Sequence, residues 1–252
     1  MVLILLLTLL LSVPAYATNW CADAVSCFLM EDSEAESNRA TGATDSLTIS
    51  SGDTIEQSST KKFGTYSRDF EYGDGDFMYQ ADGLLTDISG ADQEISIVLW
   101  ARWESFDKTA LVNKGWWDDD NQYLIRYDLE GIEFRLDSNG GEGGENCDTG
   151  DINLTALNTW YHIAATYDDA NMYIYVDGIE KKSCAYSFGI GDASKEFMIG
   201  AYTYDSPARF MDGLIDDVGI FDTYLSITDI NDIMDNGLYE AAASTRRIMV
   251  IQ

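Results

Sequence analysis

Residues 160–182 leave the backbone few options. Trp160 to Tyr167 and Met172 to Val176 are strand-length runs rich in aromatic and β-branched residues, joined by Asp168-Asp169-Ala170-Asn171. Asp177-Gly178 then turns the chain into Ile179-Glu180-Lys181-Lys182. Asp-Gly supplies the positive φ angles that a two-residue hairpin requires, so the segment reads as a three-stranded antiparallel meander. A meander has two faces, and one must be buried against further sheet.

The rest of the chain supplies that sheet. Ile95, Ile97, Leu99, Ala101 and Trp103 alternate with Ser96, Val98, Trp100 and Arg102, giving one apolar face and one mixed face. Tyr123 to Tyr127 and Ile132 to Leu136 read as hairpin partners around Glu130-Gly131, and Phe197 to Tyr202 and Leu214 to Phe221 as further strands. Strands at this spacing, joined by Gly, Asp and Asn turns, predict a β-sandwich. One helix is expected near the C-terminus. Ser226 with Asp229 forms a capping pair, Leu225 and Ile230 a hydrophobic staple, and Ile230, Ile233 and Met234 a buried stripe that Gly237 ends. The helix is expected to plug one edge of the sandwich.

The first 17 residues carry no charged side chain. Val2 to Leu11 is an apolar run, Pro14 breaks it, and Ala15-Tyr16-Ala17 places small residues at −3 and −1, as in a secretory signal. The run is shorter than the about 20 apolar residues of a membrane span. The expectation is a signal at 1–17, one domain at 18–240 and a tail at 241–252, with a secreted, extracellular address and no insertion into a membrane. Four cysteines then meet an oxidising space, where disulfides are favoured over metal thiolates. Three pairings are open. The preferred one joins Cys21 to Cys27, closing a short loop, and Cys147 to Cys184, joining two strands that lie side by side.

Composition narrows the partners. The chain has 252 residues, 15 Lys+Arg and 44 Asp+Glu, a net charge of −29. Such a surface repels the phosphate backbone of nucleic acid and anionic lipid. Solvated carboxylates also keep an exported protein soluble. A single histidine, His162, excludes sites built on several His ligands. A Ser-His-Asp triad would need His162, which lies mid-strand beside Trp160 and Tyr161 and reads as structural.

An ordered set of motifs resembles the laminin G-like jelly rolls of the concanavalin A-like lectin/glucanase superfamily. Thr159 to Asp168 followed by Met172 to Gly178 resembles that family's central hairpin. Gly213-Leu214-Ile215-Asp216-Asp217-Val218-Gly219-Ile220-Phe221-Asp222 with Leu225-Ser226 resembles its closing strand and helix. Ile97 to Ala101, Leu111 to Gly115 and Lys62-Phe63-Gly64 resemble further segments. The resemblance implies an all-β fold: a two-sheet antiparallel jelly-roll sandwich, one sheet concave and one convex, with one short C-terminal helix. It also implies a structural calcium ion with Asp216 as ligand, Glu31 and Asp32 as its N-terminal acidic partners, and backbone oxygens from the turn at Gly73. Hard carboxylate and carbonyl oxygens suit calcium.

The glucanase pattern E-x-D-x-x-E is absent, since no Glu is followed at +2 by Asp. No catalytic residues are therefore assigned, and the chain reads as a binding module. Trp116-Trp117-Asp118-Asp119-Asp120 joins flat indoles, which stack on sugar rings, to carboxylates, which accept sugar hydroxyls. Trp116, Trp117 and Asp118, with Tyr202, Tyr204 and Arg209 on the same rim, form the expected ligand site. The partner is a glycan or an extracellular surface protein. The alternatives are a structural or adhesive subunit that self-assembles into a homo-oligomer, and a divergent glycoside hydrolase, which would need two carboxylates about 5–9 Å apart in a groove.

Overall fold

A computed structural model of the protein describes residues 19–239 apart from 33–34, 51–54, 83–85, 108, 117–119, 129–130, 139–143, 151–153, 155 and 204–206. The first strands are short: β1 (Ser26–Phe28), β2 (Glu36–Ser37), β3 (Ser46–Ile49), β4 (Glu56–Ser58), β5 (Ser67–Phe70) and β6 (Met78–Gln80). Longer ones follow: β7 (Ile95–Trp103), β8 (Thr109–Trp116), β9 (Asp120–Asp128), β10 (Gly131–Asp137), β11 (Gly144–Asp148), β12 (Trp160–Tyr167), β13 (Asn171–Val176) and β14 (Ile179–Ala185). β15 (Phe197–Ile199), β16 (Tyr202–Thr203), β17 (Pro207–Ala208) and β18 (Gly213–Phe221) precede helix α1 (Ile227–Asn236).

The strands form two antiparallel sheets. The first runs β14-β13-β12-β7-β18-β5-β4, with β1 also on β18. The second runs β11-β10-β9-β8-β15-β6-β3-β2, with the β16–β17 hairpin beside β8. The expected all-β sandwich is thus present. Its core lies between the sheets and takes the apolar alternates of each strand, including Ile95, Ile97, Leu99, Ala101 and Trp103 from β7 and Tyr123, Ile125 and Phe134 from β9 and β10. At Asp177-Gly178, φ angles of 51° and 70° close the expected tight turn between β13 and β14.

Helix α1 lies elsewhere than the sequence predicts. It covers the outer face of the first sheet rather than an edge, packing Leu225, Ile230, Ile233 and the following Leu238 with Val98, Ala164, Tyr175 and Phe221. Small residues make room for it: a Cβ on Gly219 would come within 2.9 Å of the Leu238 side chain. Its start matches expectation. The Asp229 N–H donates to Ser226 Oγ (3.3 Å) and the Ser226 N–H to Asp229 Oδ2 (2.9 Å), satisfying orphan helix donors.

The disulfides pair Cys21 with Cys27 and Cys147 with Cys184. Both pairings are the expected ones. Cys147 sits on β11 and Cys184 on β14, neighbouring edge strands of opposite sheets, so the second bond crosses the sandwich. The first anchors the N-terminal 3-10 turn at Trp20–Ala22 beside the end of α1, where the Cys21 N–H donates to the Leu238 carbonyl (3.2 Å).

Loop entropy orders the two bonds. They span sequence separations of 37 and 6 residues. Replacing Cys147 and Cys184 together by Ser is expected to cost about 4 kcal/mol, and replacing Cys21 and Cys27 about 2 kcal/mol. Urea titration checks this; equal losses from the two variants would show that loop length does not govern their effect.

Candidate functional site

The closing strand β18 carries a bulge. Asp216 faces Trp100 and Gly219 faces Val98, so two residues of β18 oppose one of β7, and Asp217 takes a φ of 46°. The extra residue leaves Ile215 and Val218 in the core and takes both Asp216 and Asp217 out of it, although both remain buried. Asp216 Oδ2 accepts the N–H groups of Lys62 (2.8 Å) and Phe63 (3.1 Å), and its Oδ1 that of Asp217 (3.0 Å). Asp217 Oδ2 accepts the N–H of Leu238 (3.1 Å). Next to them, Glu31 Oε1 accepts the N–H groups of Thr65 (2.6 Å) and Tyr66 (3.1 Å). Gly64, at φ 55°, is required here, because a Cβ would strike the Glu31 carboxylate.

These carboxylates repel one another. Burial raises Asp216 above the usual carboxylate range, and the Asp217 charge adds to it. Burial also raises Asp217, with Glu31 adding. Neither Asp216 nor Asp217 makes an ion pair among the described residues. Of the predicted metal ligands, Glu31 and Asp216 therefore meet around the 62–66 turn, joined by Asp217. Asp32 does not join them: its carboxylate binds Arg39 (2.8 Å) and the Ser37 N–H (2.9 Å). Gly73 sits in the exposed turn beyond the far end of β5 from Lys62 and Phe63. Among the described residues, no three His, Cys, Asp or Glu side chains form a metal-ligating group.

His162 stands two strands from Asp216 in the same row, across Trp100. Its ring lies 5.1 Å from that indole, and the Lys62 ammonium sits 3.7 Å from the centre of the Trp100 ring. Neither imidazole nitrogen has a hydrogen-bond partner among the described residues. Burial, with the Lys62 charge, holds the imidazole down at about 3. It is a neutral packing residue, as its mid-strand position predicts.

The outer face of the second sheet is different. The β16–β17 hairpin lies along β8: Thr203 pairs with Trp116, the Ala110 N–H donates to the Arg209 carbonyl (2.9 Å), and Tyr202 packs on Ala110 and Leu124. Tyr202 is only 5% exposed, so it supports the hairpin instead of offering a ring to a ligand. The backbone of Trp116 and that of Arg209 lie beside this hairpin, while Trp117, Asp118 and Tyr204 lie outside the described residues.

On the β6 side of the hairpin runs an aromatic strip that the sequence reading missed. Tyr72 contacts Phe210 (6.4 Å between ring centres), Phe210 contacts Phe77 (6.3 Å) and Phe77 contacts Tyr79 (5.8 Å). Phe77 and Tyr79 flank core residue Met78 and so face outward. Tyr72 is 52% exposed and none of the four belongs to a core cluster. The 72–75 turn makes room for Phe210, whose ring lies 3.5 Å from where a Cβ on Gly75 (φ 71°) would sit. The Phe77-x-Tyr79 spacing was a readable signal; Phe210 arrives from a distant part of the chain. On the other side of the hairpin, Arg126 bridges Glu133 (2.9 Å) and Asp128 (3.0 Å), and Arg135 pairs with Asp137 (2.9 Å).

Two stacked antiparallel sheets with a helix laid on one of them define a jelly-roll lectin-type sandwich. The chain belongs to the concanavalin A-like lectin/glucanases superfamily, whose laminin G-type profile matches residues 78–231. No curated protein matches the sequence. Among solved structures, the binding domain of botulinum neurotoxin serotype G superposes with a TM-score of 0.62 at 14% identity over 84% of this chain and 50% of that one. The binding domain of Paraclostridial Mosquitocidal Protein 1 gives 0.65 at 13% identity over 85% and 52%. This chain thus spans about half the length of those toxin domains. Domain 4 of AbnA, a GH43 extracellular arabinanase from Geobacillus stearothermophilus, gives 0.62 at 20% identity over 84% of this chain and 98% of that domain.

The buried imidazole generates a pH test. His162 titrates near 6.5 when unfolded and near 3 when folded. The unfolded chain therefore binds the proton first, and stability falls as pH drops below 6.5. Glu36, held by burial at about 7, and the raised Asp216 and Asp217 act with the opposite sign over the acid range, so the His term is isolated by difference. The stability advantage of the native chain over His162→Gln should shrink by roughly 3 kcal/mol between pH 7 and pH 4. A difference independent of pH would show that the imidazole is not held neutral.

Proposed function

We propose that this chain is a secreted, non-catalytic glycan-binding module whose fold is stabilised by calcium. The observation that carries the reading is the strip Tyr72–Phe210–Phe77–Tyr79 on the outer face of the second sheet, with Tyr72 exposed and the other three rings half-buried. Flat aromatic faces left outside the core stack on the apolar faces of sugar rings. The first sheet has no such surface at its centre, because α1 covers it. The similar structures support a sugar ligand: AbnA domain 4 is described in complex with arabinotriose, and a related toxin domain in complex with N-acetylneuraminic acid. The two disulfides suit an oxidising, extracellular compartment.

Glu31 and Asp216, with Asp217 beside them, are the residues that would hold the ion. Their fit rests on buried like charges that no described cationic side chain offsets. A bound calcium ion would supply the positive charge that these carboxylates lack. The residues themselves already position this junction through their backbone N–H contacts.

Two outcomes are expected. First, Tyr72→Ala with Phe210→Ala keeps the circular dichroism spectrum and loses retention on an immobilised polysaccharide panel that the native chain binds. Retention equal to native would remove the strip as the site. Second, calcium raises the melting temperature by an amount that grows with concentration, reaching about 2.7 kcal/mol of stabilisation at a hundredfold excess over Kd. In Asp216→Asn that increment is lost. A melting temperature indifferent to both calcium and chelator would exclude the ion.

A further inference from the structure

The strip ends among carboxylates. Tyr72 stands between Glu71 and Asp74, and Phe210 is followed two residues on by Asp212. The Glu71 N–H donates to Asp76 Oδ2 (3.1 Å), closing the turn that carries Tyr72, and the Glu104 N–H donates to the Asp212 carbonyl (2.9 Å), joining the Phe210 segment to the end of β7. Asp69, on β5 just before this turn, keeps its Oδ1 buried with no hydrogen-bond partner among the described residues. Two cations stand nearby. Arg102 is bound to Glu104 (2.7 Å) and Asn158 (2.7 Å), and Arg209 precedes Phe210.

We propose, building on the glycan-binding reading of the strip, that its ligands are amine-bearing glycans: polymers of amino sugars whose rings stack on Tyr72 and Phe210 while their ammonium groups meet Glu71, Asp74, Glu104 and Asp212. Charge complementarity selects this class. The local acids outnumber the two arginines, and the whole chain carries −29, so a uronic, sialylated or sulfated polymer is repelled. A neutral sugar stacks equally well on the rings but leaves the acids unrelieved. Those acids are already in conflict. Burial raises Glu71 above its usual range, and Asp212, Glu104, Asp74 and Asp76 add to it. Asp69 is pushed up to about 6 by burial, then by Glu104 and Glu71. An arriving ammonium relieves that repulsion, and beside an aromatic face it gains a cation–π contact as well.

The test uses the full chain and three soluble probes: a glucosamine hexamer, an N-acetylglucosamine hexamer and a hyaluronan oligomer, measured by calorimetry at pH 6 and at two salt concentrations. The amine hexamer is expected to bind about tenfold more tightly than its acetylated counterpart, with a preference that shrinks in high salt, and hyaluronan not at all. Glu71→Gln with Asp212→Asn should erase the preference while keeping the affinity for the acetylated hexamer. Glu145→Gln with Asp148→Asn, exposed on the distant edge strand β11, should leave the preference intact. Equal affinity for the two hexamers overturns the amine specificity and leaves the glycan reading standing. Loss of the preference in the distant variant overturns it too, because general charge would then account for the binding. Failure of both hexamers to bind the native chain overturns the amine specificity, and absence of native-chain retention on the polysaccharide panel overturns the glycan reading with it.

Discussion

One extra residue in β18 sets the terms for the rest of the molecule. The bulge at Asp216–Asp217 brings two consecutive carboxylates out of the core on the same strand, which no regular strand does. Their oxygens are taken up by backbone N–H groups from residues 62–63, and 238, segments far apart in sequence. These bonds lock the approach to β5 and the exit from α1 onto the closing strand. The arrangement carries its own penalty: burial raises the proton affinity of both carboxylates, and their neighbouring negative charges add to it. The turn answers these carboxylates with backbone N–H groups, and among the described residues no Lys or Arg side chain pairs with either Asp216 or Asp217.

The division between the two outer faces follows from the same junction. With the exit from α1 fixed at Leu238, the helix has to run back across the first sheet. Its apolar stripe then covers Val98, Ala164 and Tyr175. Among the described residues the second sheet keeps an outer face that no helix covers, and the β16–β17 hairpin splits it into an aromatic side and a side of paired charges. Binding surfaces in sandwiches belong where the scaffold is rigid and the side chains are not needed for the core. Half of the strip meets both conditions: Tyr79 sits on β6 and Phe77 just before it, on either side of core residue Met78.

Much of this architecture is written in the sequence, and the parts that are not share a cause. Long strands with strict alternation, β7, β12, β13 and β18, are legible because one face of each is apolar. The capping pair Ser226–Asp229 and the Asp177-Gly178 turn are legible because their chemistry is local. The strands β1 to β6 are short, and Glu36-Ser37 or Glu56-Gln57-Ser58 carries no period that distinguishes strand from loop. Asp216 could be singled out from the closing-strand motif, but Asp32 and Gly73 could not be placed. Their neighbours, Arg39 in one case and an open turn in the other, are set by tertiary contacts. The strip failed for the same reason. Phe77-x-Tyr79 is legible as a pair, but Tyr72 and Phe210 come from separate loops and only the fold brings them to it.

The acidity of the chain gains meaning from how its few cations are used. Lys114 is buried with its ammonium on Asp82 (2.6 Å) and two carbonyls, and Arg68 is buried against Glu36 (3.8 Å) and the Ile55 carbonyl. Arg126 and Arg135 are tied to acids within the second sheet, and Arg39 to Asp32. These cations serve structure, so they do little to balance the remaining carboxylates. If solubility alone explained the charge, the uncompensated acids would be scattered and well hydrated, with ordinary proton affinities. At the end of the strip Glu71 and Asp69 are instead raised by burial and by neighbouring carboxylates, although Glu71, Asp74 and Glu104 are exposed. Crowding of that kind lowers stability, and a sequence keeps such a cost at one place when something of opposite charge arrives there.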